Sequence, residues 1–210
     1  MEAASAAPGA TAGPEAGAPR RGRPRSEKAQ RAILDAAAEL LVAQGLAAVS
    51  MGSVAARAGV SKATIYRRWR TKELLALDAV FHSWTAAHYP ARVTGQLHAD
   101  LLALLRPWVE LLRRRPYGRV IAGLIAEAQM DAGFAEEYWR RLVGPRRDEA
   151  RAICARAGEH GLTTTGPKLD LALDLLYGPI YHRLFHGHAP LDEPFLRAVV
   201  DSAVAALERG

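Results

Sequence analysis

The sequence predicts an all-α protein, with a small N-terminal helix-turn-helix head joined to a larger helical body. Three observations carry this. Apolar residues recur at steps of three and four along most of the chain, and no stretch alternates apolar with polar residues over a useful strand length. Candidate helices open on Ser and close on Gly, residues that supply a capping oxygen and tolerate positive φ. The 210 residues are 50% hydrophobic, enough to pack one large domain or two small ones.

Residues 1–19 are mostly Ala, Gly and Pro without periodicity, and read as a disordered tail. Residues 20–27 form a basic arm containing Arg20-Arg21-Gly22-Arg23-Pro24-Arg25. Ser26 can cap a helix running to about Gln44, where Gly45 offers a left-handed exit. Ile33, Leu34, Ala37, Leu40 and Leu41 fall on one broad face of it. Ser50 opens a short second helix to about Ala58, closed by Gly59, and Ser61 caps a third running to about Trp69. A fourth begins near Lys72 and continues to about Tyr89, before Pro90. Residues 28–72 thus make the head and residues 73–210 the body. Further helices are expected over Leu97–Arg114, Tyr117–Asp131, Phe134–Gly158 (kinked at Pro145), Lys168–His186 and Glu193–Glu208.

Charge is placed unevenly. The segment from Arg20 to Lys72 holds 12 Lys/Arg against 3 Asp/Glu, whereas the whole chain carries only +6. A basic head on a mildly acidic body points to a polyanion partner. No apolar run approaches the ~18 residues of a membrane span. Cys154 is the sole cysteine, which excludes internal disulfides and multi-cysteine metal sites. The N-terminus has no apolar core behind a basic start, so a cytoplasmic location is expected. No Gly-rich phosphate loop or nucleophile–base pair is visible, so neither enzyme activity nor a cofactor is expected. His182 and His186 stand four apart with His188 following, but no Glu or Cys completes a ligand pattern, and no metal site is assigned.

The chemistry concentrates between Val54 and Trp69. Two helices crossing steeply on a short turn need a small residue at the crossing, a positive-φ glycine and apolar anchors. Ala55, Gly59 and the set Val54, Val60, Ile65 and Trp69 meet those needs. Such a unit lays the start of its second helix in the major groove of DNA. Lys62, Ala63, Thr64, Arg67 and Arg68 lie there. Arg and Lys can reach guanine or phosphate, Thr either, and Ala a thymine methyl. Ser50, Tyr66 and Lys72 suit phosphate oxygens.

These residues carry a resemblance. Ala55-Ala56-Arg57-Ala58-Gly59-Val60-Ser61-Lys62-Ala63-Thr64-Ile65-Tyr66, followed by Lys72-Glu73-Leu74-Leu75, resembles the N-terminal signature of the TetR/AcrR family of bacterial transcriptional regulators. The likeness implies a dimeric DNA-binding protein, usually a repressor, whose C-terminal helices dimerise and often bind a small ligand. Carried over by position, Ser50, Tyr66 and Lys72 would hold phosphates, and Lys62, Ala63, Thr64 and Arg67 would face bases. Trp69 stands where the family more often has Phe, and Gly52 where a better helix former is commoner. The arm Arg21-Gly22-Arg23-Pro24 also resembles an AT-hook core, narrow enough when extended to enter the minor groove, with Arg25 beside it.

In the body, Leu169, Leu173, Leu176, Ile180 and Leu184 form one apolar stripe, and Leu171, Leu175 and Phe185 another. The last helix repeats this with Phe195, Val199, Val200 and Leu207. Helices apolar on two faces must bury both, and a partner chain can supply the second burial. The dimer interface is assigned to Leu173, Leu176, Ile180, Leu184, Phe195, Val199, Val200 and Leu207. A pocket for a small apolar ligand is assigned to Phe81, Trp84, Trp108, Tyr117, Met130, Phe134 and Tyr138. The expected partners are a palindromic double-stranded DNA operator, a second copy of the chain and that ligand. Two other readings fit the same residues: a weakly specific A·T-rich DNA binder without a ligand, and an all-α enzyme with an accessory DNA-binding head.

Overall fold

The computed structural model describes residues 23–86, 94–157 and 165–208. These fold into ten α-helices and one π-helical turn, and no strand occurs among them. The head comprises α1 (Arg23–Gln44), α2 (Met51–Ala58) and α3 (Lys62–Tyr66), and α4 (Lys72–Ala86) leads into the body. The body comprises α5 (Leu97–Arg113), α6 (Arg115–Met130), α7 (Ala132–Tyr138), α8 (Gly144–Ala157), α9 (Gly166–His186) and α10 (Glu193–Glu208). No helix of the described residues is long and apolar enough to cross a membrane.

The local signals act as their chemistry requires. Gly45 and Gly59 take φ of +77° and +65°, and Asp131 caps α7 by accepting from Phe134 N at 2.9 Å. Asp100, buried in the first turn of α5, accepts from Thr94 N, Thr94 Oγ1 and Gly95 N at 2.7–2.9 Å. Burial opposes its charge, but those donors outweigh it and hold the carboxyl below its ordinary pKa. Cys154 is buried, and burial pushes its thiol pKa up. It behaves as a small apolar side chain.

Three boundaries differ from expectation by three residues or more, or by a break within the helix. Helix α1 begins at Arg23, three residues before Ser26, so Arg23-Pro24-Arg25 has helical backbone and is not an extended arm. Proline is well tolerated in a first turn, where its missing N–H would be unpaired anyway. Arg21 lies outside the described residues. Helix α3 stops at Tyr66 rather than Trp69, because the chain turns there to send Trp69 inward. The expected Phe134–Gly158 helix is three pieces: α7, a π-helical turn over Trp139–Val143, and α8. Pro145 cannot donate to the carbonyl four residues back. One residue earlier Gly144 N donates to Trp139 O, five residues back, which widens the turn. A side chain at Gly144 would bring its Cβ within 3.2 Å of that carbonyl.

One apolar cluster runs from head to body. Ile33, Leu41, Val54 and Ile65 close the head, and α4 packs against α1, α6 and α7. Gly123 on α6 admits Leu46 of the head, whose Cδ2 would lie 3.3 Å from any Cβ there. Helix α10 packs on α9 and α5.

This packing corrects the interface assigned from sequence. Leu173, Leu176, Ile180, Val199, Val200 and Leu207 are buried within the chain's own core, and Leu184 and Phe195 pack partly buried against it. They hold α9 and α10 in the fold. The second apolar face of α9 points outward, with Leu171 54% and Phe185 48% exposed. Of the residues assigned to the ligand pocket, Met130 stands apart. Met130 is 85% exposed at the end of α6. Phe81, Trp84 and Trp108 form a ring-to-ring chain with centroids 5.7 and 6.0 Å apart. Phe134 and Tyr138 pack 6.3 Å apart, and Tyr117 lies half-buried against the core. The Trp84 and Trp108 rings meet edge to face, at an interplanar angle of 82°.

Candidate nucleic-acid interface

Three serines and a glycine fix both ends of α2 and the start of α3. Ser50 Oγ accepts from Ser53 N at 3.1 Å, and Ser53 Oγ returns the bond from Ser50 N at 3.1 Å. This reciprocal cap fixes the start of α2. At its end, Gly59 lets Val60 N reach Ala55 O at 3.0 Å. Ser61 Oγ then accepts from Thr64 N at 3.2 Å, so α3 starts at Lys62. Val54, Ala55, Ile65 and Trp69 are buried behind it.

With that face anchored, the opposite face of α3 is left to solvent. Lys62, Ala63 and Arg67 are exposed, and Tyr66 is 52% exposed. Thr64 is half-buried, its hydroxyl 2.9 Å from Ser61 Oγ. Ser50 is exposed at the mouth of α2. Lys72 Nζ lies half-buried, 3.4 and 3.5 Å from the Leu46 and Ala47 carbonyls. It ties the start of α4 to the loop after α1. Arg68 departs from its assignment. Its guanidinium turns back onto α1 and donates to Gln30 Oε1 and to Ser26 Oγ. Ser26 thus anchors an arginine and caps no helix. The backbone of Arg23 and Arg25 lies in the first turn of α1.

Gly52 has a structural reason that its helix propensity conceals. A Cβ there would lie 3.0 Å from Lys62 Cε and 3.3 Å from Nζ, so the missing side chain makes room for Lys62 to cross the start of α2. Gly52→Ala is therefore expected to push Lys62 aside and weaken DNA binding, while stabilising α2 by about 0.5–1 kcal/mol. Opposite changes in thermal midpoint and DNA affinity are the expected result; an unchanged affinity would show that this placement of Lys62 is not used.

Sequence reading passed over two features. Arg70, exposed between α3 and α4, adds a cation beside Lys72; its place in a basic run was the only signal. The other is a chain of charge-assisted bonds from head to body. Trp69 Nε1 donates to Asp78 Oδ2 at 2.8 Å, Arg141 donates to Asp78 Oδ1 at 2.7 Å, and Arg141 also meets Glu137 at 2.5 Å. Hydrogen bonds from Arg140 and Arg141 hold the Glu137 carboxyl below its ordinary pKa. The end of the recognition unit is thereby tied to the π-helical turn.

Residues 33–79 match the family described as bacterial regulatory proteins, tetR family, and residues 92–203 match the tetracyclin repressor-like C-terminal domain. The chain belongs to the TetR family. It is 34% identical to the HTH-type transcriptional regulator YdeS of Bacillus subtilis, covering 90% of this chain and 94% of that one. It is 33% identical to the DNA-binding transcriptional repressor TetR of Mycobacteroides abscessus, covering 88% and 96%. The crystal structure of the TetR family transcription regulator SCO0332 superposes with a TM-score of 0.71 at 35% identity, covering 85% of this chain and 98% of that one. This TetR-family member is a DNA-binding transcriptional regulator, and its fold is the all-α head and body expected from sequence.

Proposed function

We propose that the chain is a homodimeric repressor that reads a palindromic operator through α3 and leaves it when a small molecule binds the body. The observation that carries this reading is the division of α3 into a face locked by Ile65 and an exposed face bearing Lys62, Ala63, Tyr66 and Arg67. Lys62, Ala63, Thr64 and Arg67 meet the bases, while Ser50, Tyr66 and Lys72 hold phosphates. Arg68 fixes the angle of α3 on α1 instead of reaching the DNA. The relative from Mycobacteroides abscessus, named a repressor, supports the negative sign of regulation.

A palindrome needs two such heads about 34 Å apart. The outward face of α9 supports a second copy. Leu171, Leu175, Gly178, His182 and Phe185 follow alternating steps of four and three, the spacing of a helix seam. On α10 the small side chains Ala198 and Ser202 are exposed and permit close approach. The Trp69–Asp78–Arg141 chain offers a route by which a change in the body alters the angle of α3, and the ligand shifts the balance by its preference for one arrangement.

Fluorescence anisotropy with DNA from upstream of the protein's own gene, beside a scrambled duplex, tests the reading. Binding to the native site that persists as salt rises is expected. Equal binding to both duplexes, lost at moderate salt, together with no enriched sequence from random DNA, would reduce the protein to an electrostatic DNA coater.

A further inference from the structure

Arg146, in the first half of α8, is 4% exposed. Its guanidinium lies 3.7 Å from the centroid of Trp108 on α5 and 5.1 Å from that of Tyr177 on α9. Its hydrogen bond among the described residues runs from Nη1 to Tyr181 Oη at 3.2 Å, and no carboxylate of those residues pairs with it. The neighbouring Arg147, by contrast, pairs with Asp174 at 2.6 Å. Tyr177 Oη is spent on the Arg146 carbonyl at 2.8 Å. A second buried donor, Trp108 Nε1, has no hydrogen-bond partner among the described residues.

A buried cation without a counter-charge is costly, and stacking on aromatic faces offsets only part of that cost. Tyr177 and Tyr138 cannot supply the missing charge as phenolates. Burial raises the Tyr177 phenol pKa to about 12 and that of Tyr138 further still. Beside the guanidinium lies a cavity of about 150 Å³, lined by Val143, Arg146, Arg147, Tyr177 and Tyr181. A cavity of that volume holds one small ring. Its walls are aromatic and aliphatic, and Arg146 is its buried cation.

We propose that this cavity is a binding site for a small aromatic monocarboxylate, whose carboxylate pairs with Arg146 and whose ring lies among Tyr177, Tyr181 and Val143. A carboxylate matches the planar fork of arginine in two parallel bonds and supplies the missing charge. This replaces the apolar ligand expected from sequence with an anion. It rests on the reading that the body holds a small effector. The site adjoins the π-helical turn, and Arg141 in that turn joins the chain leading to Trp69.

The test is calorimetric titration of the full-length protein, without DNA, by benzoate and phenylacetate against their uncharged amides. The acids are expected to bind about tenfold or more tighter than the amides, the scale of a hydrogen bond to a charged group. Arg146→Met should abolish that preference without lowering the thermal midpoint, because it removes an unpaired buried charge. Arg146→Lys keeps the charge without the fork, and should retain the preference at weaker affinity. It carries the test should the methionine variant not fold. Acids and amides binding alike, no acid binding, or acid affinity unchanged in the lysine variant would each overturn the proposal. Operator release is read separately by anisotropy. Acid binding through Arg146 with no loss of DNA affinity would leave the site standing and remove the ligand-released repressor. Release by a neutral molecule with no acid binding would do the reverse.

Discussion

Trp69→Ala is expected to unfold the DNA-binding head and abolish operator binding while the body stays folded. Trp69 is buried behind α3, and truncating a buried Trp typically costs about 3–5 kcal/mol. That is a large share of the roughly 5–15 kcal/mol that holds a whole domain together. The loss falls on the side chain that both seats α3 and bonds to Asp78. Trp69→Phe should keep most of the packing and lose only the hydrogen bond, about 1 kcal/mol. Asp78 would still accept from Arg141. Thermal unfolding followed by circular dichroism, with anisotropy on the operator, should rank wild type, Phe and Ala in that order for both stability and affinity. An alanine variant that melts like wild type would show that α3 is held by Ile65 alone.

Arg67→Ala is expected to give the largest loss of DNA affinity that leaves the fold untouched. Arg67 is exposed at the end of α3 and makes no ion pair among the described residues, so its guanidinium stays available. A bidentate arginine–guanine contact discriminates by about 1–3 kcal/mol. The proposed dimer would make it twice, so the operator affinity should fall on the order of 10²- to 10⁴-fold. Binding to scrambled DNA should fall much less. If both duplexes weaken equally and the salt dependence flattens, Arg67 holds a phosphate and base reading belongs to Lys62 and Thr64. Arg68→Ala provides the contrast. Its guanidinium is engaged by Ser26 and Gln30, so the change should lower the melting temperature more than it alters base preference.

The head was readable because its signals are local. Ser50, Gly59 and Ser61 each act through bonds spanning a few residues, and those residue types are chosen for that chemistry wherever they stand. Periodicity likewise located α10, because a long helix repeats its apolar pattern over several turns. The failures share one cause. Leu173 and Leu171 are equally apolar and both sit on α9, and nothing in their spacing tells which faces the chain's own core. Contact with α10, α8 and α6 decides it, burying the first and leaving the second exposed. Ser26 reads as a helix cap until Arg68, far along the chain, occupies its hydroxyl.

Arg146 shows the limit most sharply. In Gly144-Pro145-Arg146-Arg147-Asp148 the two arginines are indistinguishable as sequence. One pairs with Asp174 at the surface; the other stacks on Trp108 inside the body. The amino-acid order alone settled the all-α class, the caps at Ser50, Gly59 and Ser61 and the turn of the recognition unit, because those depend on neighbours within about one helical turn. Which apolar face turns inward, which arginines are free, and where a buried charge waits beside a cavity were settled only by tertiary packing. Those outcomes depend on which distant side chains arrive at the same place, and the pattern of a single helix does not contain that information.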